Sequence, residues 1–129
     1  MAEKGEPFMR VLIVEDDPVI AFGLEDLVSE SGFQIAGVAL TLEKALALIE
    51  QGACDAAILD ANLDGVSASP AGAAMTMRGL PYIVLSGYSA QQLAGAFLSA
   101  AAFLQKPCVP ERLINALNMM VQRGQPAIS

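Results

Sequence analysis

The sequence contains no histidine and only two cysteines, Cys54 and Cys108. The two cysteines are not in CxxC spacing and have no histidine to help them bind zinc, which argues against a structural zinc site. We therefore expect two free thiols, buried or half-buried, in the reducing cytoplasm. The N-terminal segment MAEKGEPFMR also lacks the apolar stretch of a signal peptide.

Positive charge is scarce as well. Seven Lys and Arg residues stand against 14 Asp and Glu residues, which gives a formal net charge of −7. Of the 14 acidic residues, 13 lie in the first 64 positions. Such a chain repels the phosphates of nucleic acids, and no basic patch is available to bind DNA. We expect the acidic residues either to hold a divalent cation or to keep one face of the protein solvated.

No uninterrupted apolar run is long enough to span a membrane. The segment between Arg78 and Lys106 carries no charge, but Pro81, Gly87 and several polar residues interrupt it. A membrane-spanning helix needs about 20 consecutive apolar residues. We interpret this segment as strand, loop, helix and strand in the core of a cytoplasmic domain, with no membrane partner.

The sequence does contain a regular alternation of short apolar runs and amphipathic stretches. The apolar runs predict strands at 10–14, 34–39, 55–60, 81–85 and 102–104. The amphipathic stretches predict helices at about 18–31, 41–52, 66–78 and 90–99, and from Pro110 onward. Continuously apolar strands such as VLIV and YIVL are typical of parallel sheets that are covered on both faces.

Five strands, each followed by a helix, predict an α/β fold with right-handed crossovers. We expect a doubly wound, five-stranded parallel sheet of the (βα)5 type with strand order 2-1-3-4-5. The length of 129 residues indicates one domain. We place this domain at 10–123, between an N-terminal tail at 1–9 and a C-terminal tail at 124–129.

Polar residues follow four of the predicted strands. Asp16 and Asp17 follow the first strand, Asp60 ends the third, Ser86 follows the fourth and Lys106 follows the fifth. Ligands of doubly wound sheets bind beyond the carboxyl ends of the strands, so these groups converge there. Three close carboxylates need a cation, and an all-oxygen shell suits Mg²⁺. A carboxylate beside Mg²⁺ can attack a phosphoryl group, while a lysine and a hydroxyl offset the charge.

Each of these residues also has an ordinary structural interpretation. An Asp-Asp-Pro turn commonly caps a helix, and Ser86-Gly87 is a common turn sequence. Lys106-Pro107 alone would be typical of a protein surface. Their joint placement at strand ends favours a functional site, because Arg78 is the only charged residue from Gly65 through Gln105.

Four segments, in this order, resemble the signature segments of response-regulator receiver domains: VLIVEDDP, ILDANLDG, VLSGY and FLQKP. The resemblance covers the chain from about residue 10 to residue 122. It implies that Asp60 accepts a phosphoryl group. It also implies that Asp16, Asp17, Asp60 and the backbone carbonyl of Asn62 hold Mg²⁺, for which Mn²⁺ could substitute.

The same resemblance assigns roles near the last two strands. Ser86 matches the switch Ser/Thr that binds a phosphoryl oxygen, and Lys106 matches the lysine of the family. Phe103 stands where many receivers have the switch aromatic residue. The interval from Asp60 to Ser86 is a few residues shorter than in most receivers. This shortened form is similar to stand-alone alphaproteobacterial receivers with a turn close to Phe-Ala-Thr-Gly-Tyr, which implies that Tyr88 shares the switching role.

The resemblance implies a signalling switch rather than an enzyme. A sensor histidine kinase or a histidine phosphotransfer protein would pass its phosphoryl group to Asp60. The face formed by the fourth helix, fifth strand and fifth helix is sparsely charged, and we expect a downstream protein or a second copy to bind there. Apolar residues in or beside this uncharged segment include Leu93, Phe97, Leu98 and Ala101. We expect a single-domain protein with no DNA-binding output.

Three alternatives remain open. A small Mg²⁺-dependent phosphatase of the haloacid-dehalogenase type also uses an aspartate nucleophile, but it carries an Asp-x-Asp pattern after the first strand and needs a larger scaffold. A degenerate receiver would act as an interaction module without phosphorylation; the presence of all five site residues argues against it. A flavodoxin-like cofactor domain would need a phosphate-binding loop after the first strand, and none is present.

Overall fold

The computed structural model describes residues 9–93 and 95–124. Among these residues the chain forms seven strands and five helices. In chain order they are β1 (Arg10–Val14), α1 (Pro18–Glu30), β2 (Gln34–Ala39), α2 (Leu42–Glu50), β3 (Ala56–Asp60), β4 (Asn62–Leu63), β5 (Val66–Ser67), α3 (Ser69–Met77), β6 (Tyr82–Ser86), α4 (Ala90–Leu93), β7 (Ala102–Gln105) and α5 (Pro110–Gly124).

Five of the strands form one parallel sheet in the order β2-β1-β3-β6-β7. Strands β6 and β7 are the predicted fourth and fifth strands, so the expected order 2-1-3-4-5 is confirmed. Every residue of β3 and β6 is buried, as the continuously apolar character of such strands predicts. The flavodoxin-like α/β architecture inferred from the sequence is therefore the architecture of the protein.

The core lies in two layers, one on each face of the sheet. Alternate residues of β1 point to opposite faces: Leu12 and Val14 belong to one apolar cluster, and Val11 and Ile13 belong to the other. Helices α2 and α3 cover the first cluster, and helices α1 and α5 cover the second. Burial on both faces leaves the carboxyl ends of the strands as the edge where polar side chains collect.

Helices α1 and α2 begin at side-chain caps. The Asp17 carboxylate accepts hydrogen bonds from the backbone N–H groups of Val19 (2.9 Å) and Ile20 (3.4 Å). The Thr41 hydroxyl accepts one from Lys44 N–H at 3.2 Å, which confirms the predicted cap of the second helix. Both caps satisfy backbone donors that a helix leaves unpaired in its first turn.

A short antiparallel hairpin, β4–β5, follows β3 where the sequence indicated an irregular helical stretch over 66–78. Its two-residue turn, Asp64-Gly65, has φ values of +54° and +89°. Left-handed backbone at both positions is typical of the tight turns that match strand twist, and Asp-Gly is a preferred sequence for them. The third helix therefore begins only at Ser69, with Pro70 in its first turn.

The fourth helix is shorter than the sequence predicted. We expected a helix over 90–99, but α4 ends at Leu93, and Ala94 is outside the described residues. Phe97 is buried, and its ring lies 6.5 Å from that of Tyr82, centroid to centroid. Packing of Phe97 against the start of β6 takes the place of a regular helix in this segment.

None of the described helices is both long enough and apolar enough to cross a membrane. The expected tails lie almost entirely outside the described residues. Met9 packs against the core beside β1, and Gly124 ends α5. The domain boundaries at 10 and 123 stay a prediction.

Candidate functional site

Three carboxylates meet at the carboxyl edge of the sheet. Glu15 and Asp16 follow β1, and Asp60 is the last residue of β3. Each of the three offers an oxygen within 4.8 Å of the other two. Glu15 is 1% exposed and Asp60 is 8% exposed. We refer to these three residues as the acidic cluster.

Lys106, in the loop after β7, is the counterion of the acidic cluster. Its Nζ lies 3.2 Å from Oε1 of Glu15 and 3.2 Å from Oδ2 of Asp60. One ammonium against three carboxylates leaves the cluster negatively charged. Because isolated buried charge is costly, such an arrangement favours a divalent cation with oxygen ligands.

The pKa values of Glu15 and Lys106 are both raised, but for different reasons. Burial raises the pKa of Glu15, and the charge of Asp60 adds to the rise, although hydrogen bonds from Asp17 N–H and Lys106 oppose it. Burial alone would lower the pKa of Lys106, but the charges and hydrogen bonds of Asp60 and Glu15 outweigh it and raise that pKa. Lys106 therefore keeps its positive charge in a site that is crowded with carboxylates.

The structure groups Asp16 and Asp60 with Glu15 rather than with Asp17, and the ligand role that we assigned to Asp17 stays a prediction. The Asp17 carboxylate caps α1, and its backbone N–H donates to Oε2 of Glu15 at 3.1 Å. The signal for this assignment is present in the sequence. Pro18 occupies the first position of the helix, so the preceding residue is the cap. Glu15 directly follows the last apolar residue of β1 and was missed as a candidate ligand.

Asn62 follows Asp60 by two residues, and its backbone faces the Asp60 carboxylate. Its N–H donates to Oδ1 of Asp60 at 3.3 Å. In the hairpin, Ala68 N–H donates to Ala61 O at 2.9 Å, so the next pair, Asn62 and Ser67, falls at the non-hydrogen-bonded position of the antiparallel ladder. The carbonyl of Asn62 is therefore left on the same edge as its N–H group, toward Asp60.

Ser86 ends β6 at the same edge of the sheet and is 3% exposed. Its Oγ accepts a hydrogen bond from Tyr88 N–H at 2.9 Å, and its carbonyl accepts one from Lys106 N–H at 2.8 Å. The hydroxyl proton is left available to an acceptor near Asp60. Four strands, β1, β3, β6 and β7, thus supply one polar group or more to this edge.

The two predicted switch aromatic residues lie on the last two strands or next to them. Tyr88 follows Ser86 by two residues, and its side chain is 54% exposed. Phe103 is half-buried in β7, pairs in register with Val84 of β6 and packs against the core layer under α2 and α3. The switching roles of both residues stay predictions.

The fold and this edge together define a class of protein. A five-stranded parallel sheet that carries an acidic cluster, a lysine and a serine at its carboxyl ends is the arrangement of a signal receiver. The family model for the response regulator receiver domain matches residues 11–118. The chain belongs to the response-regulator receiver family of two-component systems.

Similarity to two transcriptional regulatory proteins supports this assignment. The transcriptional regulatory protein PdtaR of Mycobacterium tuberculosis is 33% identical over 119 residues, which cover 88% of this chain and 57% of that protein. The transcriptional regulatory protein PrrA of Mycobacterium bovis is 35% identical over 133 residues, which cover 98% of this chain and 56% of that protein. The chain spans little more than half the length of these relatives.

A solved structure shows the same fold. The CheY-like receiver domain protein from Methanospirillum hungatei JF-1 superposes with a TM-score of 0.82 at 25% identity, over 91% of this chain and 96% of that one. Receiver domains are signalling switches, bind Mg²⁺ through acidic pocket residues and interact with histidine kinases or phosphotransfer proteins. Membership of this family removes the haloacid-dehalogenase and flavodoxin alternatives.

Proposed function

We propose that this chain is a phosphorylation-dependent switch in which Asp60 accepts a phosphoryl group from the phosphohistidine of a sensor kinase or a histidine phosphotransfer protein. One observation carries the proposal. The Asp60 carboxylate, almost fully buried at the end of a central strand, lies 3.2 Å from Lys106 Nζ and within the acidic cluster. An ordinary strand-end turn residue needs neither neighbour.

Mg²⁺ is the cofactor that this donor set fits, and Mn²⁺ could substitute. The carboxylates of Glu15, Asp16 and Asp60 and the carbonyl of Asn62 provide the hard oxygen ligands that Mg²⁺ prefers. The excess negative charge that Lys106 leaves unbalanced is a further reason for a divalent cation. When bound, the ion supplies electrostatic stabilisation of the transferred phosphoryl oxygens.

Three residues of the chain have separate roles in phosphoryl transfer. An Asp60 oxygen forms a bond to phosphorus, and the phosphorus–nitrogen bond of the donor breaks with its electron pair going to the imidazole. Lys106 offsets the negative charge beside Asp60, and the Ser86 hydroxyl donates to a phosphoryl oxygen. Such positioning and electrostatics supply most of the catalysis of phosphoryl transfer, so the chain promotes its own phosphorylation.

Attraction of Ser86 to the phosphoryl group would shift the loop after β6 and change the face made by α4, β7 and α5. A groove of about 330 Å³ lies on this face, between residues 101–104 and the side of α5 that carries Arg112, Ala116 and Met119. Met119 is 57% exposed, although methionine is usually buried. We place the contact with a downstream protein or a second copy in this groove.

Phosphorylation is tested directly with a small phosphodonor. The protein is incubated with acetyl phosphate, with and without Mg²⁺, and its intact mass is measured beside that of Asp60→Asn. We expect a single phosphoryl adduct that requires Mg²⁺ and is absent from Asp60→Asn. Asp64→Asn is the matched control, because Asp64 is an exposed carboxylate in the β4–β5 turn, and it should keep the adduct.

Two results would contradict the proposal. An adduct that persists in Asp60→Asn would place the phosphoacceptor elsewhere in the chain. A wild-type protein that takes up no phosphoryl group and binds neither Mg²⁺ nor beryllofluoride would instead be a receiver-shaped interaction module that works without phosphorylation.

A further inference from the structure

The loop after β6 is held by hydrogen bonds rather than by packing. We call Ser86, Gly87 and Tyr88 the switch turn. Its internal bond runs from Tyr88 N–H to Ser86 Oγ at 2.9 Å. A methyl group placed at Gly87 would meet no atom within 4 Å, and the Tyr88 side chain is 54% exposed. Ser86 is buried, but little is packed around Gly87 and the Tyr88 side chain, so hydrogen bonds have a large share in positioning this part of the turn.

Gln105 reaches the switch turn from the neighbouring strand. It is the last residue of β7 and pairs in register with Ser86. Its Nε2 donates to the carbonyl oxygen of Gly87 at 3.3 Å. In the part of the chain that the structure describes, this is the one side-chain hydrogen bond that another element makes to the switch turn.

We propose that Gln105 is a positioning residue that holds the switch turn in its resting place and so opposes activation. The inference rests on the proposed function, in which the Ser86 hydroxyl approaches a phosphoryl group on Asp60. In the structure the Ser86 hydroxyl accepts a hydrogen bond from Tyr88 N–H at 2.9 Å. Turning of Ser86 toward a phosphoryl group on Asp60 disturbs this bond, and with it the position of Gly87 between the two residues.

Movement of the switch turn works against the Gln105 bond. Gly87 lies just beyond the β6–β7 ladder, whose last pair is Ser86 and Gln105, so Gly87 can shift while Gln105 stays in register. The distance from Gln105 Nε2 to Gly87 O is already 3.3 Å, beyond the usual range for a strong bond, so a small shift breaks it. In the wild type, activation therefore includes the free energy of breaking the Gln105–Gly87 hydrogen bond.

The substitution Gln105→Met removes the donor and keeps the length of the side chain. Affinity for beryllofluoride, measured by calorimetric titration in the presence of Mg²⁺, should rise about two- to threefold, because a solvent-exposed neutral hydrogen bond is worth little more. Gln34→Met is the matched control: Gln34 is an exposed glutamine that begins β2, on the other edge strand and at the opposite end of the sheet. It should leave the affinity unchanged.

A second measurement separates positioning from a general structural effect. The amide resonance of Tyr88 is recorded by NMR for the free and the beryllofluoride-bound wild type. In free Gln105→Met, this resonance should move along the line that joins the two wild-type positions, toward the bound one. A general structural disturbance would displace it off that line and would lower the melting temperature.

The binding of beryllofluoride distinguishes failure of this inference from failure of the proposed function. If the wild type binds beryllofluoride and Gln105→Met binds it equally or more weakly, the role of Gln105 is overturned and the proposed function stands. If the wild type binds no beryllofluoride, the proposed function falls and this inference falls with it.

Discussion

The ammonium nitrogen of Lys106 lies 3.2 Å from Oε1 of Glu15, a carboxylate that stands 91 residues earlier in the chain. The contact joins the loop after the edge strand β7 to the end of the central strand β1. It requires β3 and β6 to be in place between them, because the sheet order is β2-β1-β3-β6-β7. Glu15 therefore shares the Lys106 ammonium with Asp60, although the sequence pattern pointed to Asp16 and Asp17 as the acidic pair.

Glu15 and Asp17 can be told apart by their effects on Mg²⁺ binding. Glu15→Gln removes a buried charge from the acidic cluster and should weaken Mg²⁺ binding about tenfold or more. Asp17→Asn keeps a good helix cap, so Mg²⁺ affinity should change less than about threefold and stability by only a few tenths of a kcal/mol. Calorimetric or NMR titration with Mg²⁺ measures both. The opposite ranking of the two variants would return Asp17 to the ligand set.

Lys106 should also stabilise the fold when Mg²⁺ is absent. Lys106→Met leaves Glu15 and Asp60 without their counterion, and we expect a loss of about 2 kcal/mol in the free energy of unfolding. The loss is smaller than for a fully buried pair because 30% of the Lys106 side chain is exposed. Urea unfolding in EDTA tests this, and added Mg²⁺ should narrow the difference. Lys44→Met, an exposed lysine on α2, should change stability by less than about 0.5 kcal/mol.

The ion pair of Arg10 and Asp55 gives the protein a stability term that depends on pH. Arg10 donates to the Asp55 carboxylate through Nε (3.0 Å), Nη2 (2.9 Å) and its backbone N–H (2.9 Å). The side-chain hydrogen bond from Arg10 lowers the pKa of Asp55 and outweighs the opposing effect of burial. A lowered folded-state pKa gives stability that is present above the unfolded value of about 3.9 and is lost as the pH falls through the folded value.

Asp55→Asn should therefore cost about 0.5–1 kcal/mol at pH 7, a small value because 39% of the Asp55 side chain is exposed to solvent. As the pH falls through the lowered folded-state pKa of Asp55, the two proteins should approach equal stability, since Asp55 is then increasingly protonated in the wild type. Urea unfolding at pH 7 and over a descending series of acidic pH values measures the difference. Asp26→Asn, an exposed acid on α1, is the control. A difference that persists unchanged at low pH would show that the charge of Asp55 is not its source.

The contact of α3 with β6 predicts opposite effects for two glycine substitutions. A Cβ at Gly72 would lie 3.0 Å from Cζ and Oη of Tyr82, whose ring is buried. Gly72→Ala should cost about 1–2 kcal/mol, because overpacking outweighs the gain in helix propensity. A Cβ at Gly23, in α1, would meet nothing within 4 Å, and Gly23→Ala should add about 0.5–1 kcal/mol. Thermal unfolding compares them; a stabilised Gly72→Ala would mean that α3 is free to move away from Tyr82.

The elements that the sequence predicts well are those with long apolar patterns. The runs at Arg10–Val14 and Gln34–Ala39 match β1 and β2 residue for residue, because strands that pack against a core, buried as β1 is or half-buried as β2 is, require an apolar run. The β4–β5 hairpin was missed because strands of two residues are too short to show a period. Its Asp64-Gly65 turn was the available signal. The short α4 was missed because an uncharged segment does not show which residues face solvent.

The residues of the candidate site could be predicted where they follow or end a strand that the sequence makes recognisable. Asp16, Asp60, Ser86 and Lys106 each follow or end a recognisable strand, and the structure gathers all of them at one edge of the sheet. Glu15 was missed because three acidic residues follow one another after β1. Which two of them join the cluster depends on where α1 begins, and the exact start of a helix is hard to predict. The Gln105 bond to Gly87 depends on the register of two strands, which no local pattern specifies.

The candidate site forms only when the sheet is assembled. Its polar groups come from the ends of four strands that are spread over more than ninety positions of the chain, so the unfolded chain presents no comparable ligand set. A cation that binds this edge therefore binds only the folded state, and each tenfold excess over its dissociation constant adds about 1.4 kcal/mol to the free energy of unfolding of the whole domain. Cation binding at this edge and global folding are thus thermodynamically linked, and the melting temperature should keep rising with cation concentration even after the site is almost full.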